Sequence, residues 1–162
     1  MIEEGVLLGI SQIGATFAGF IAIFLIFARR DGRFSPADGL RIRALIYASL
    51  LIVIGALLPL LLHAYGAAEA QLWRGSAALY FAAGVPASID AARRHLSMTQ
   101  QDRREVGLLH SVVSWGLNLV VVAILGSLVL GYGSVGNYVL ALVLTIAIVM
   151  ANFVTLSLKN LL

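Results

Sequence analysis

The sequence contains no cysteine. It therefore has no disulfide, no thiol nucleophile and no thiolate metal site, and the redox compartment is left open. Charge is also scarce: charged residues make up 12% of the chain and hydrophobic residues 60%, whereas soluble domains carry roughly 25% and 45–50%. A soluble globule of 162 residues could not cover its surface with so few charges. The excess apolar residues must therefore face lipid.

Acidic residues are missing from the middle of every apolar stretch. Proton and cation relays in membranes are built from Asp or Glu inside the bundle, so their absence argues against a proton-coupled transporter. Lysine is nearly absent as well, because Lys159 stands against ten arginines. Together with abundant Ala, Gly and Leu, this bias is typical of a high-GC bacterial genome.

Four stretches have the length of a membrane span and contain no Asp, Glu, Lys or Arg, namely 5–28, 44–64, 106–130 and 135–158. About 20 apolar residues are needed to cross a hydrocarbon core of roughly 30 Å. A fifth stretch, 72–92, is weaker because it contains Arg74, Pro86 and Asp90. Both charges lie near its ends, where long side chains reach the interface. We predict an all-α polytopic membrane bundle of five transmembrane helices, with 1–162 as a single transmembrane domain.

The distribution of the arginines indicates whether the weaker stretch, 72–92, crosses the membrane. If it does, the basic loops 29–43 and 93–104 share one side, and ten positive residues lie there against Arg74 alone. If it does not, the split becomes five against six. Because positive charge is retained on the cytoplasmic side, the first division predicts an N-terminus outside, a C-terminus in the cytoplasm and placement in the bacterial inner membrane. The acidic opening, Glu3 and Glu4, does not fit a secretory signal, so we expect the first helix to be permanent.

Short motifs mark where helices begin and turn. Ser35, Pro36 and Asp38 fit a capped helix start, and Thr99 with Asp102 offers another. A tight turn is expected between the last two spans, at Gly131-Tyr132-Gly133-Ser134. Several aromatic residues fall near the predicted outer boundary, where such rings prefer to sit: Tyr65, Trp73, Tyr132 and Tyr138.

The first helix is rich in small residues at a spacing of four, including Gly5, Gly9, Ala15 and Gly19. Small residues let helix backbones approach closely in lipid. We favour the interpretation that this helix is the central packing element of the bundle. The alternatives are a subunit interface and a pore wall.

Polar residues inside the spans are few. They share helix faces at i, i+4 or heptad spacing, and several fall near the membrane midplane: Gln12 and Thr16 on the first helix, His110, Ser114 and Asn118 on the fourth, and Thr145 and Asn152 on the fifth. Lipid offers these groups no hydrogen-bond partner. They are expected either to form an interhelical hydrogen-bond cluster or to line a hydrated path through an oligomer.

No pattern indicates a cofactor, a metal site or a catalytic centre. His63 and His110 lie at opposite ends of their spans, nearly a bilayer apart, so they cannot bind one haem iron, and His95 lies in a loop. No carboxylate stands at the depth of any histidine. No nucleic-acid-binding module is recognisable. Four loop arginines could hold anionic lipid head groups, although fixing topology already accounts for them: Arg29, Arg30, Arg93 and Arg94.

Three segments resemble a family of small multi-pass bacterial inner-membrane proteins with no known activity. They are Gly14-Ala15-Thr16-Phe17-Ala18-Gly19-Phe20, Leu57-Leu58-Pro59-Leu60 and Asn152-Phe153-Val154. The resemblance covers most of the chain and implies no activity.

Three functional classes stay open from sequence. We favour an oligomeric channel-like permeation module for ions or small solutes, because the loops are minimal and polar residues lie where lipid should not tolerate them. A non-catalytic membrane scaffold or interaction subunit comes next. A membrane enzyme comes last, because no nucleophile–base or metal constellation is visible. We therefore expect a non-enzymatic homo-oligomer that contacts the lipid bilayer, without cofactor or nucleic acid.

Overall fold

The computed structural model describes residues 2–28 and 35–161, and this part of the chain contains helices and no strands. The helices are α1 (Ile2–Ala28), α2 (Pro36–Ala64), α3 (Glu69–Ser97), α4 (Gln100–Val106), α5 (Leu108–Val129) and α6 (Val135–Leu161). The predicted all-α class is confirmed. Four helices are long and apolar enough to cross a membrane, over Glu4–Leu25, Ala37–Ala64, His110–Val129 and Val135–Ser157. The protein is therefore a helical membrane protein.

The two predicted helix starts are confirmed. The Ser35 side chain accepts a hydrogen bond from the backbone N–H of Asp38, and the Asp38 carboxylate returns to the N–H of Ser35, which completes a capping box at α2. The Thr99 hydroxyl accepts from the N–H of Asp102 at the start of α4. These bonds satisfy amide groups that the first turn of a helix leaves without partners.

The helix capped by Thr99 ends before the apolar stretch 106–130 and is not continuous with the helix that follows. Gly107 has φ 84° and ψ 131°, which ends α4 after seven residues and starts α5 at Leu108. Residues with a Cβ rarely adopt this conformation, so glycine is required here. The short α4 is thereby set apart from α5.

α2 lies at the centre of the bundle, in contact with α1, α3, α4 and α6, while α3 also packs on α5 and α5 on α6. α3 and α5 are antiparallel, because Arg74 near the start of α3 donates to the carbonyl of Val129 at the end of α5. One end of the bundle, called here the basic end, carries the arginines of α2 and α4 and, from the last part of α3, Arg93 and Arg94. The opposite end, called the glycine-turn end, carries Gly66, Gly131 and Gly133, all with positive φ.

α3 runs along the bundle despite its weaker hydrophobicity. It has 29 residues, which corresponds to roughly 43 Å of helix. Trp73 packs on Tyr138 near its start, and Asp90 pairs with Arg94 at 2.8 Å near its end. Its two charges inside the stretch 72–92 are therefore both engaged with neighbouring groups.

The core consists of aliphatic side chains from all five long helices around two buried tyrosines. Gly55 on α2 makes room for them, because a Cβ there would lie 3.0 Å from Leu142 and 3.2 Å from the ring of Tyr80. Tyr138 is fully buried and donates a 2.6 Å hydrogen bond to the carbonyl of Gly55. Tyr138 therefore faces the interior of the bundle from the first turn of α6, whereas Tyr65 and Tyr132 are exposed at the glycine-turn end.

α1 lies at the edge of the bundle, packed on α2 and lightly on α6. Its close approach to α2 is at Gly14, where a Cβ would lie 2.9 Å from Ile52 and 3.0 Å from Val53. Nothing lies within 4 Å of a Cβ at Gly5, Gly9 or Gly19, and Ala15 is exposed. Within one chain, α2 rather than α1 is the central packing element. That the small residues of α1 form contacts between copies of the chain stays a prediction.

Candidate functional site

A crevice enters the bundle at the basic end between α2, α3, α5 and α6. Its volume is about 110 Å³. Arg43 and Arg94 lie on its wall toward the basic end, whereas Tyr80, Asn118 and Thr145 lie deeper along the helices. Between them the wall is mostly aliphatic. A polar solute entering from the basic end would therefore meet charge first and neutral hydrogen-bonding groups afterwards.

Tyr80 lines the deep end of the crevice, and Tyr138 packs behind it. The Tyr80 hydroxyl donates to Thr145 Oγ1 at 2.9 Å, and the Thr145 hydroxyl donates to the carbonyl of Ala141 at 2.8 Å. The ring of Tyr80 meets that of Tyr138 edge-on, with centroids 6.3 Å apart. Below, this arrangement of Tyr80, Tyr138 and Thr145 is called the tyrosine layer. Beyond it the helices pack through buried side chains, including Leu72, Ala77 and Leu128.

A second cavity of about 100 Å³, called the inner chamber, adjoins the crevice near the basic end. Asn118 and Ser88 line both spaces. The chamber lies between all helices except α1 and collects an unusual number of polar side chains for the interior of a membrane bundle: Arg41, His95, His110, Ser111, Ser114 and Asn152.

His110 forms the centre of a hydrogen-bonded cluster on the chamber wall. Its Nε2 lies 3.2 Å from Asn152 Oδ1 and 3.5 Å from Ser114 Oγ, and its Nδ1 lies 3.2 Å from Thr155 Oγ1. The Asn152 amide nitrogen donates to the carbonyl of Ile148, which leaves its oxygen toward the histidine. An amide oxygen only accepts, so this geometry places the proton of a neutral His110 on Nε2. The cluster joins α5 to α6.

Arg41 is the charged group inside this region and is only 3% exposed. Its guanidinium donates to the carbonyl of Val106, at 3.0 Å, and to the carboxylate of Asp38, at 3.4 Å. These bonds hold the last turn of α4 against α2. Removing such partners would leave a buried charge uncompensated and would strongly destabilise the protein. The fold therefore holds Arg41 in this position.

A wider opening of about 390 Å³ leads into the crevice and is lined by Arg43, Arg94, Thr99 and Asp102. The hydrogen bond and the charge of Asp90 raise the pKa of the Arg94 guanidinium above its ordinary value. Arg94 is therefore fully charged at neutral pH. The entrance combines arginines with carboxylates that are already engaged in an ion pair and a helix cap.

The structure brings five of the seven predicted polar residues to these two spaces: His110, Ser114, Asn118, Thr145 and Asn152. Gln12 and Thr16 lie elsewhere, exposed on α1, where the Thr16 hydroxyl donates to the backbone carbonyl of Gln12. Of the four arginines considered for lipid binding, Arg93 is exposed and Arg94 lines the entrance, whereas Arg29 and Arg30 lie outside the described residues.

Sequence reasoning missed Arg41, Tyr80, His95 and Thr155. Arg41 had been counted only as loop charge, although its place six residues after the Ser35 cap puts it within the second turn of α2. Thr155 shares a face with Ala151 and Asn152 of α6, and the i, i+3 spacing from Asn152 could have pointed to it. His95 was expected in a loop but lies in the last turn of α3. Nothing in the sequence places it against Trp115, with ring centroids 6.3 Å apart.

The chemistry available here is hydrogen bonding and charge. No group of three or more His, Cys, Asp or Glu side chains able to hold a metal occurs among the described residues. The walls offer hydroxyls, carboxamides, imidazoles, three guanidinium groups and the carboxylate of Asp90. Such a set suits a small polar solute or ion together with water.

The fold and these cavities define an all-α membrane protein with a polar recess opening at one end. No protein-family model, curated protein or solved structure matches the chain. The resemblance drawn from its three short segments therefore stays a prediction.

Proposed function

We propose that the protein is a channel-like permeation module for small ions or polar solutes. The observation that carries this proposal is the crevice, which reaches from the arginines of the basic end to Asn118 and Thr145 about half-way along the helices. In this proposal the crevice is one half of the pathway, and the tyrosine layer closes it in the structure. Opening would require Tyr80 and Tyr138 to move apart.

The proposal includes five membrane spans, with the N-terminus outside and the basic end in the cytoplasm of a bacterial inner membrane. α3 supports the fifth span, because its Tyr80 bonds to Thr145 in the middle of α6 and Arg74 bonds to the far end of α5. The orientation follows from the ten-to-one division of positive residues. Under this topology the crevice opens to the cytoplasm and ends near the bilayer midplane.

The pathway is proposed to lie within each chain, since the polar groups converge between α2, α3, α5 and α6. A homo-oligomer remains part of the proposal through α1. Its face with Gly5, Gly9 and Gly19 has no packing neighbour in the chain, and Gln12 is exposed beside it. A carboxamide in lipid is stabilised by a hydrogen bond from a second helix.

A flux measurement tests the function. The purified chain is reconstituted into liposomes, and the entry of anions, cations and small neutral solutes is followed separately by stopped-flow. We expect flux of at least one class above that of protein-free liposomes. Asn118→Leu should lower this flux about tenfold, because losing one hydrogen bond to the permeant, worth about 1.4 kcal/mol, corresponds to that factor.

Gln12→Leu is the matched control, since it makes the same change on the outer face of α1, away from both cavities. Its flux should equal that of the unaltered chain. Equal flux in the Asn118→Leu protein, or no flux of any class, would contradict the permeation proposal. The second result would favour the scaffold or interaction subunit over a channel.

A further inference from the structure

The imidazole of His110 lies between two oxygen atoms of α6. Its Nε2 is 3.2 Å from Asn152 Oδ1, and its Nδ1 is 3.2 Å from Thr155 Oγ1. The ring is half-buried and lines the inner chamber near the basic end. Whether both contacts are hydrogen bonds depends on how many hydrogens the ring carries.

The contact with Asn152 requires a hydrogen on Nε2. The Asn152 amide nitrogen donates to the carbonyl of Ile148 at 2.8 Å, which fixes the orientation of the carboxamide. The oxygen that faces the ring can only accept. Ser114 Oγ is the more distant neighbour of the same nitrogen, at 3.5 Å. Nε2 is therefore the first position to be protonated.

The contact with Thr155 calls for a second hydrogen, on Nδ1. The Thr155 hydroxyl donates its single hydrogen to the carbonyl of Ala151 at 2.7 Å, so its oxygen is left to accept from the ring. A neutral imidazole has one ring hydrogen, which is already at Nε2. With a neutral ring, Thr155 must either turn away from Ala151 or leave Nδ1 without a bond. The imidazolium donates from both nitrogens and satisfies every one of these contacts.

The charged and titratable groups around the ring come from α2 and α3. α2 contributes Arg41, which is paired with Asp38, and α3 contributes His95. Asp90 and Arg94 of α3 line the neighbouring crevice instead. α4, α5 and α6 contribute uncharged side chains to the chamber apart from the ring itself, and none of the described residues on its wall is a carboxylate. A second proton on the ring would therefore be stabilised by neutral oxygens rather than by an ion pair.

From this geometry we infer that His110 is a proton-binding site, at which Nδ1 takes up a proton from water at the basic end and then donates a hydrogen bond to Thr155 Oγ1. With the neutral ring, one of the two bonds of Thr155 is given up, whereas with the imidazolium both form. Proton uptake therefore adds a hydrogen bond between α5 and α6. It also changes this part of the chamber wall from neutral to positive. The site goes beyond the permeation proposal and does not require that the chain conduct.

The protonation state of His110 can be observed directly, because the chain has three histidines. The histidines are isotopically labelled at nitrogen, and the protein is held in nanodiscs. NMR follows the ring-nitrogen chemical shifts, which separate protonated from bare nitrogens, between about pH 4.5 and 8.5, a range that brackets the ordinary titration of histidine. Replacing His63, His95 and His110 singly by Gln assigns the signals. We expect His110 to carry a hydrogen on Nε2 alone at the alkaline end and on both nitrogens at the acid end.

Thr155→Val removes the acceptor for Nδ1 and keeps the shape of the side chain. The imidazolium then loses two hydrogen bonds and the neutral state loses one, so the midpoint of the His110 titration should fall by about one pH unit, a tenfold loss of proton affinity. Thr155→Ser keeps the hydroxyl and should titrate as the parent does. Thr16→Val is the matched control, because it removes the same kind of bond to a backbone carbonyl on the exposed face of α1. It should leave the midpoint unchanged.

Asn152→Asp tests the other side of the ring. It places a carboxylate where the amide oxygen lies, and an opposite charge at this distance should raise the midpoint by at least about one pH unit. The proton site is overturned if His110 keeps a single ring hydrogen over the whole range or if Nε2 is bare at the alkaline end. A midpoint that Thr155→Val leaves in place overturns it as well, and Asn152→Asp decides in the same way if the Thr155 variant does not fold.

Discussion

The hydroxyl of Tyr138 is buried in the bundle and donates to the carbonyl of Gly55 in α2. The residue four positions after Gly55 is Pro59, which has no N–H to donate to this carbonyl as a helix residue normally would. Tyr138 therefore supplies the donor that Pro59 lacks. The bond therefore ties α6 to α2 at the tyrosine layer.

Replacing Tyr138 by Phe should lower stability by about 1–3 kcal/mol, because it leaves the buried carbonyl of Gly55 without a donor. The ring contacts with Trp73 and Tyr80 are retained in this variant. The free energy of unfolding is measured by titration with sodium dodecyl sulfate in mixed micelles. Tyr132→Phe serves as the control, because Tyr132 is 73% exposed, and it should leave the free energy unchanged. Equal stability of the two variants would contradict the role given to the Tyr138 hydroxyl.

At the residue scale, the sequence could predict how far along its span a polar residue lies, but not whether its side chain faces the interior of the bundle. Counting along the spans placed Asn118 and Thr145 near the middle, and both line the crevice. Thr16 has a similar depth but lies exposed on α1. Which face of a helix meets other helices depends on how all of them pack, and nearly uniform hydrophobicity around each span gives little indication of it.

Among the elements, α1 and α2 approach each other at one glycine. A Cβ at Gly14 would lie 3.1 Å from the Cβ of Ile52, which is bound to the backbone and cannot turn away. Gly14→Val should therefore destabilise the protein by about 1–3 kcal/mol, the usual cost of overpacking. Gly9→Val is the control on the same helix, where nothing lies within 4 Å. The same detergent titration measures both, and a Gly9 variant as unstable as the Gly14 variant would exclude this packing.

The break between α4 and α5 gives a second prediction at this scale. Gly107→Ala forces a side chain into a conformation that costs about 1–3 kcal/mol, so we expect a lower melting temperature in detergent. Gly116→Ala, inside α5 and facing open space, should be neutral or raise it slightly, because alanine favours helix more than glycine does. A melting temperature unchanged by Gly107→Ala would mean that α4 and α5 tolerate a continuous helix.

The caps at Ser35 and Thr99 could be predicted because a capping box is a local pattern of residues three apart. The break at Gly107 could not, since an isolated glycine at the start of an apolar run is compatible with a continuous helix. Its conformation is tied to a distant partner: Arg41 bonds to Val106 across 65 residues of sequence. Such long-range contacts leave no local pattern.

For the whole molecule, the absence of cysteine makes the proposed topology directly testable. Single cysteines are introduced by Arg33→Cys, Gln101→Cys and Ser134→Cys, and each is labelled in intact cells with a membrane-impermeant maleimide. We expect labelling of the Ser134 variant alone, because the proposal places the other two in the cytoplasm. Permeabilised cells, in which all three should react, are the control. Labelling of the Arg33 and Gln101 variants from opposite sides would exclude five spans.

At this scale, composition established the membrane class, because so few charges cannot cover a soluble surface. The central place of α2 was not foreseen. The sequence drew attention to α1 through its small residues, but in the fold α2 contacts four other helices. The order in which similar apolar helices pack is decided by the match of their surfaces, which no single stretch of sequence contains.

The bond between Tyr138 and Gly55 joins residues 83 positions apart, and this has a consequence for biosynthesis. α2 leaves the ribosome long before α6, so the side of α2 at Gly55 that Tyr138 and Leu142 contact in the fold lacks these neighbours while α3 to α5 are being made. A nascent chain must therefore keep this surface in lipid or against an insertion factor until translation is nearly complete. A product that ends before α6 would insert into the bilayer, yet it would remain unassembled and exposed to membrane proteases.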